Sequence, residues 1–319
     1  MIDLHQDTPR HTIDPGVDLL AGSPAAHVDL PRLEAGGALA VVWAACGVQP
    51  EDEFSLPPTE AAALVTRMIA GARDLIARSA GRLRLVRSTA DFDACLADGP
   101  IGILLALEGA DALLGSLAML ESLWALGVRV LVLTWNHRNP FAAGCRDADD
   151  IGLTPLGREL VLRAAEQGML IDLAHASPRT FDRAVALLDR PFLVSHTACA
   201  ALQAHVRNLS DVQLRAVAER GGVAGIMLYP PFLAAPGARV DATTVAAHVR
   251  HAIDVAGEEA VAIGTDWDGM TGLPIDLTGW QDLPRLIDAL RAVGLGAGAL
   301  EKVTWRNAAR VIRAGLREG

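Results

Sequence analysis

Short apolar runs recur along the chain at Met1–Leu4, Ala38–Cys46, Ile101–Leu107, Val128–Thr134, Met169–Leu173, Pro191–Val194, Val223–Leu228 and Ala260–Gly264. Their hydrophobicity is continuous rather than alternating, which predicts strands covered on both faces, as in a parallel sheet. Helical periodicity fills most of the gaps: Pro58–Ala80, Leu117–Leu126, Leu156–Gln167, Pro178–Leu188, Ser210–Arg220 and Thr243–Ala256, with two more stretches at Asp282–Val293 and Ala299–Ala314. Ser177 and Ser210 stand where a helix needs an N-cap, and Gly127 and Gly168 stand where one should stop. Eight strands in β/α alternation, with no Pro/Ser-rich linker and no shift in composition, predict one α/β domain over residues 1–319, a (β/α)8 (TIM) barrel. In that fold the chemistry gathers at the C-terminal ends of the strands, so polar residues there carry the functional information.

Polar residues do cluster there. The first run ends in His5-Gln6-Asp7, and residues two apart in an extended segment face the same side, so an imidazole and a carboxylate converge at the barrel mouth. A lone His-x-Asp is common and carries little weight. Glu108 follows seven mostly apolar residues, where a carboxylate is costly to bury unless it is paired or bound to a cation. His175 lies near the end of MLIDLAHAS and His196 at the end of FLVSHT; singly, each would pass for a satisfied core histidine. Jointly, His5, Asp7, Glu108, His175 and His196 make a nitrogen and oxygen donor set suited to zinc or a similar divalent ion. Five ligands exceed the three usual for one catalytic zinc, which points to two metals sharing a bridging carboxylate, Glu108. Asp266, at the mouth of the last run in AIGTDWDG, fits a proton carrier, since a carboxylate beside dications stays ionised and can accept a proton. Asp268 fits a turn that caps its own backbone.

Composition narrows the chemistry further. Among 28 basic residues the one lysine is Lys302, so Schiff-base catalysis, a Walker-type phosphate lysine and a carbamylated lysine between two metals would all rest on one C-terminal residue. A net charge of −10 offers no basic field for a phosphate backbone, and no nucleic-acid partner is expected. No apolar stretch reaches the roughly 18 residues of a spanning helix, and MIDLHQDTP lacks the basic start and apolar run of a signal peptide. Cys46, Cys95, Cys145 and Cys199 lie far apart with no Cys-x-x-Cys pair, which suits free thiols in a reducing compartment. The expectation is a cytoplasmic protein without membrane association.

With their neighbours, these residues resemble the renal or membrane dipeptidases, dinuclear zinc peptidases on an amidohydrolase-like barrel. The resemblance runs from Asp3 to about Ile312. It rests on His5-Gln6-Asp7, HVDLPRLEAGG at 27–37, LEGADAL at 107–113, LTWNHRNPFAAG at 133–144, GMLIDLAHAS at 168–177, SHTACAALQAHVRNLSD at 195–211, GGVAGIMLYPPF at 221–232 and AIGTDWDG at 262–269. It implies that His5, Asp7 and Glu108 bind one zinc and that Glu108, His175 and His196 bind the other. It also implies that Arg207 grips the substrate carboxylate, that Asp266 serves in proton transfer and that Tyr229 belongs to the pocket wall. Family members are often dimers, so the resemblance carries a homodimer as its expectation.

The chain departs from the family pattern in three places. Better-known members have a histidine directly after the strand-four threonine, where it helps hold the scissile carbonyl; here Thr134 is followed by Trp135, and His137 lies two residues on. Trp135 and His137 are therefore both candidates for substrate contact. Met227 and Leu228 precede Tyr229 where an asparagine is familiar, and Trp305 and Arg306 precede Asn307 where glycines are usual. Residues and resemblance together give the expected function: zinc-dependent hydrolysis of dipeptides, L-Xaa-D-Xaa as well as L-Xaa-L-Xaa, by a metal-bridging hydroxide. One alternative keeps the barrel and metals but acts on another small amide or ester, such as an N-acyl amino acid. The other is a non-catalytic metal-binding protein, which the loss of a ligand would have signalled; none is lost.

Overall fold

The computed structural model describes residues 1–48, 56–97 and 99–318. Nine strands form one parallel sheet: β1 (Ile2–Gln6), β2 (Ala40–Cys46), β3 (Leu83–Leu85), β4 (Ile101–Glu108), β5 (Val128–Val132), β6 (Leu170–Asp172), β7 (Leu193–Thr197), β8 (Val223–Ile226) and β9 (Val261–Ile263). Eight of them run in the order β1-β2-β4-β5-β6-β7-β8-β9, and β3 pairs with β4 off this path. The sheet curls until its ends meet. The seam between β9 and β1 is joined beyond the ladder by a Gln6–Trp267 bridge, with Asp7 N–H donating to Trp267 O at 2.9 Å and Asp266 N–H donating to His5 O at 3.0 Å. The result is the expected (β/α)8 barrel.

Two apolar clusters explain why the runs read as continuously hydrophobic. One draws Ile2, Val42, Leu104, Val130, Leu170, Leu193, Val223 and Ala262 from the eight barrel strands into a common interior, closed by Ala308, Val311 and Ile312 of the helix Asn307–Gly315. The other takes the alternate strand residues, among them Val41, Ile103, Leu131 and Val194, and packs them on the surrounding helices. Burying both faces leaves no polar side to alternate with.

Two strands carry an irregularity that matters at the mouth. In β1 the pairing steps from Asp3↔Val41 to Gln6↔Trp43, and in β7 from Val194↔Ala224 to Thr197↔Ile226, so each strand holds one residue more than its partner. An extra residue resets the in-out alternation. Ile2 and Leu193 thus sit in the interior cluster, and His5 and His196, each three residues further on, still reach the site above it.

The expected caps hold: Ser177 accepts from Thr180 N–H at 3.1 Å, Ser210 forms a capping box with Gln213, and Gly168 ends its helix at φ 81°. Four stretches differ from the sequence reading. Strand β3 is a three-residue LRL segment, and the helices Leu30–Ala35 and Thr89–Leu96 are short; all fall below the length at which periodicity registers. The stretch expected as one helix over Ala299–Ala314 is Ala297–Glu301, a π-helical segment Lys302–Arg306, and Asn307–Gly315. Asn307 donates from Nδ2 to Glu258 O and Val261 O, fixing this segment to the start of β9.

Candidate active site

The strand ends bring five sequence-predicted donors into one buried group at the C-terminal mouth. His5 lies within β1, Asp7 just after it, Glu108 at the last position of β4, and His196 within β7. His175 is three residues past β6, in a turn at φ 63°, and Asp266 follows β9 at φ 65°. Histidine and aspartate tolerate this left-handed backbone better than bulky residues, and here it turns both side chains into the mouth. Gly269 makes room for Asp7 and Asp266: a Cβ there would stand 2.1 Å from Asp7 Oδ2 and 2.7 Å from Asp266 Oδ1.

Two donor groups share Glu108. His5 Nε2 lies 3.5 Å from Asp7 Oδ2 and 3.6 Å from Glu108 Oε2, and Glu108 Oε1 lies 3.1 Å from His175 Nε2 and 3.6 Å from His196 Nε2. The trios His5-Asp7-Glu108 and Glu108-His175-His196 each bring three ligand atoms close enough to hold a cation. A third trio, His5-His196-Asp266, overlaps both. Several features fit metal ions. His5 Nε2 is buried with no hydrogen-bond partner. His175 Nδ1 faces Asn136 Oδ1 at 2.9 Å, so its hydrogen is used there and Nε2 presents a lone pair toward His196 Nε2, 2.9 Å away. Ser195 Oγ lies 2.9 Å from His196 Nδ1 and 3.3 Å from His5 Nδ1, orienting both rings from behind.

Electrostatics point the same way. Burial opposes charge on His5, but the Glu108 and Asp7 carboxylates outweigh it and raise its pKa well above that of an ordinary imidazole. Burial alone would raise Glu108, yet His5 and His175 hold it well below the usual carboxylate range. Burial and then the Arg207 charge bring His175 down to about 3, and burial and His5 lower His196, so both stay neutral, the form that ligates a cation. The negative charge that Asp7 and Glu108 gather around His5 is what divalent ions held here would neutralise.

Across the same cavity, Arg207 is only 4% exposed. Its Nη2 donates to His196 O at 3.1 Å, its Nε is buried with no partner, and no carboxylate among the described residues pairs with it. Tyr229 lines the wall, its hydroxyl 3.0 Å from Thr271 Oγ1 and its ring edge-on to Phe232.

Comparison with known proteins decides the family. The model of the membrane dipeptidase family, peptidase family M19, matches residues 1–316. The chain belongs to the membrane dipeptidase family. It is 36% identical to an uncharacterized protein in the pqqA 5' region of Klebsiella pneumoniae, over 78% of this chain and 95% of that one. It is 32% identical to an uncharacterized dipeptidase of Schizosaccharomyces pombe, over 82% of this chain and 65% of that longer protein. Among solved structures, the metallopeptidase dipeptidase AC of family M19 superposes with a TM-score of 0.89 at 29% identity, covering 99% of this chain and 98% of the other. A metallopeptidase from Rhodobacter sphaeroides, bound to a phosphinate mimic of the dipeptide L-Ala-D-Ala, gives a TM-score of 0.89 at 27% identity and covers 98% of each chain. As a family M19 metallo-dipeptidase, this protein is a peptide-bond hydrolase and metal-dependent. No helix among the described residues is long and apolar enough to cross a membrane.

At the family's histidine position this dipeptidase places an indole. Trp135 lines the cavity, its ring centroid 6.0 Å from that of His175 and nearly parallel to it. His137, also offered by the sequence as a substrate contact, is not among the described lining residues; its Nδ1 faces Asp147 at 3.8 Å. β5 ends at Val132 and the chain bends through residues 135–137, so strand alternation does not carry His137 onto the side that Trp135 occupies. His137→Ala is accordingly expected to change kcat by less than about threefold, where loss of an oxyanion donor would cost about 10²-fold. Steady-state kinetics on zinc-loaded protein check this. Asn136 and Ser195 are not legible as site residues in the sequence, because an orienting hydrogen bond leaves no motif, and Arg146 reaches the cavity lining from a loop that carries no motif.

Proposed function

We propose that this protein hydrolyses dipeptides with a free C-terminal carboxylate at a dinuclear zinc centre, in a chain that forms one catalytic barrel. The observation that carries this reading is the juxtaposition of two donor trios sharing Glu108 with the buried, acid-free guanidinium of Arg207 in one cavity. His5, Asp7 and Glu108 would hold one ion, and Glu108, His175 and His196 the other. Imidazole and carboxylate donors suit zinc better than magnesium or calcium, which prefer all-oxygen shells. When bound, such ions supply a nucleophile active at neutral pH and polarise the scissile carbonyl.

The rest falls to this chain's side chains. Arg207 offers a planar fork to the terminal carboxylate and thereby fixes which amide bond is presented. Asp266, 14% exposed and with Oδ1 4.0 Å from His5 Nε2, takes a proton from the attacking water and returns it to the leaving amine. Trp135 and Phe232 wall the substrate and exclude water. The free cysteines Cys46, Cys95, Cys145 and Cys199 support a cytoplasmic setting.

Zinc-loaded protein should release amino acids from L-Ala-L-Ala and L-Ala-D-Ala, lose this activity to a chelator and recover it with zinc. The second configuration enters because a similar structure binds a mimic of it. Faster turnover of N-acetylalanine than of either dipeptide would move the reading to an N-acyl amino acid hydrolase. No turnover by fully metal-loaded protein would overturn it. Arg207→Met should lower kcat/KM by roughly 10- to 150-fold, the worth of a charge-assisted hydrogen bond. Dipeptide amides should be poor substrates of the wild type; equal handling of amide and acid would remove Arg207 from the carboxylate role.

A further inference from the structure

The cavity carries more positive charge than one terminal carboxylate requires. Arg10, Arg146 and Arg207 all line it, with His205 beside them, in a chain whose net charge is −10. Arg207 is committed to the proposed carboxylate contact. Arg10 donates to Asp268 O at 3.0 Å and acts on Asp7, on the side of the first donor trio. Arg146 is exposed at the mouth, and among the described residues no carboxylate pairs with its guanidinium.

The acids near it in sequence are engaged elsewhere. Asp147 accepts from Gly144 N–H at 2.9 Å and faces His137 and Arg138; Asp149 faces Arg138 at 3.9 Å; Asp150 accepts from Ser177 Oγ and Arg179 N–H. A solvated loop arginine would need no fixed root, but the root of Arg146 is fixed to the site itself. Its N–H donates to Asn136 O at 2.9 Å, and Cys145 N–H donates to His175 O at 2.8 Å. The loop is pressed so close that a Cβ on Gly144 would stand 2.4 Å from the Asn136 backbone.

Position selects the part of the substrate it meets. Arg207 bonds to the backbone of His196, and Arg146 follows Cys145, which bonds to the backbone of His175, so both arginines flank the His175–His196 side of the one cavity they line. With a terminal carboxylate on Arg207, the substrate group nearest that flank is the side chain of the C-terminal residue. Resting on the dipeptidase reading above, we propose that Arg146 is a specificity-determining residue that selects dipeptides whose C-terminal residue is aspartate or glutamate.

The test compares kcat/KM for Ala-Glu and its neutral isostere Ala-Gln, in both configurations of the second residue, with wild type, Arg146→Gln, Arg146→Lys and Arg146→Glu. The wild-type ratio should exceed about tenfold in the preferred configuration and shrink as salt is raised, because the guanidinium is exposed. Arg146→Gln should bring the ratio to about one, Arg146→Lys should retain part of it, and Arg146→Glu should invert it. A ratio is independent of the fraction of active protein, so partial misfolding of a variant does not obscure it. A wild-type ratio near one, or one that survives in Arg146→Gln, overturns the proposal while leaving the dipeptidase reading intact. If zinc-loaded wild type hydrolyses neither peptide, the dipeptidase reading fails and this selectivity fails with it.

Discussion

Asp266→Asn is expected to slow dipeptide turnover by about 10³-fold while leaving metal content unchanged. Asparagine keeps the shape of aspartate and tolerates the left-handed backbone that residue 266 adopts at φ 65°, so the turn should survive. An amide cannot take up the proton. Burial and then the Asp7 charge raise the pKa of Asp266 well above its ordinary value, and dications held by the neighbouring donors would oppose that rise, keeping the carboxylate ionised and able to accept a proton. The sign for pH follows: below its pKa Asp266 is already protonated and cannot accept, so kcat/KM should fall on the acid side, and Asp266→Asn should lose that limb of the profile. Metal analysis decides between roles, because Asp266 also forms a donor trio with His5 and His196. A variant that loses an ion would make Asp266 a ligand instead.

The barrel was legible because its strands are buried on both faces, and each predicted metal donor interrupts or ends an apolar run. Glu108 is the clearest case, a carboxylate closing eight strand residues that are all buried. The in-out placement of His5 and His196 was not legible, since the extra residue in β1 and in β7 shows only in the pairing of neighbouring strands. His175 was expected at a strand end, yet it sits in the turn beyond β6, where a positive φ rather than strand alternation aims it. Arg207 reads as an ordinary loop arginine without the family resemblance, because its burial comes from the fold around it. Arg146 has still less signal: its environment is set by backbone bonds to Asn136 and by a glycine contact.

Closure of the barrel and assembly of the site are one event. Asp3 accepts from Thr265 N–H at 2.8 Å, from Thr265 Oγ1 at 2.6 Å and from Gln6 Nε2 at 2.8 Å, and Trp43 Nε1 donates to Gln6 Oε1 at 3.2 Å. These bonds tie the two strands of the seam immediately below Asp7 and Asp266. Each polar group in this buried web has its partner, so the web specifies register without leaving an orphan. A slip at the seam would separate Asp7 from Asp266 and open the His5-His196-Asp266 trio, which spans it.

Glu108→Gln should be the most damaging change in the centre, because Glu108 is the residue that the two proposed ligand trios share. Its oxygens divide the work: Oε2 faces His5 at 3.6 Å, and Oε1 faces His175 at 3.1 Å and His196 at 3.6 Å. Glutamine has the same shape but offers one oxygen, and its amino group repels a cation from whichever trio it faces. A neutral side chain also removes the negative charge that two neighbouring dications need between them. Zinc should fall from about two ions per chain to less than one after dialysis, with affinity weakened by at least roughly 100-fold and activity lost in proportion. The comparison with single-trio ligands makes the test specific. Asp7→Asn and His175→Ala each touch one trio, so each should lose one ion and keep the other. Elemental analysis of the three variants, reconstituted side by side, reads the pattern directly. If Glu108→Gln retains one firmly bound ion, as the single-trio variants should, Glu108 is not the bridge, and the centre is not dinuclear in the way proposed.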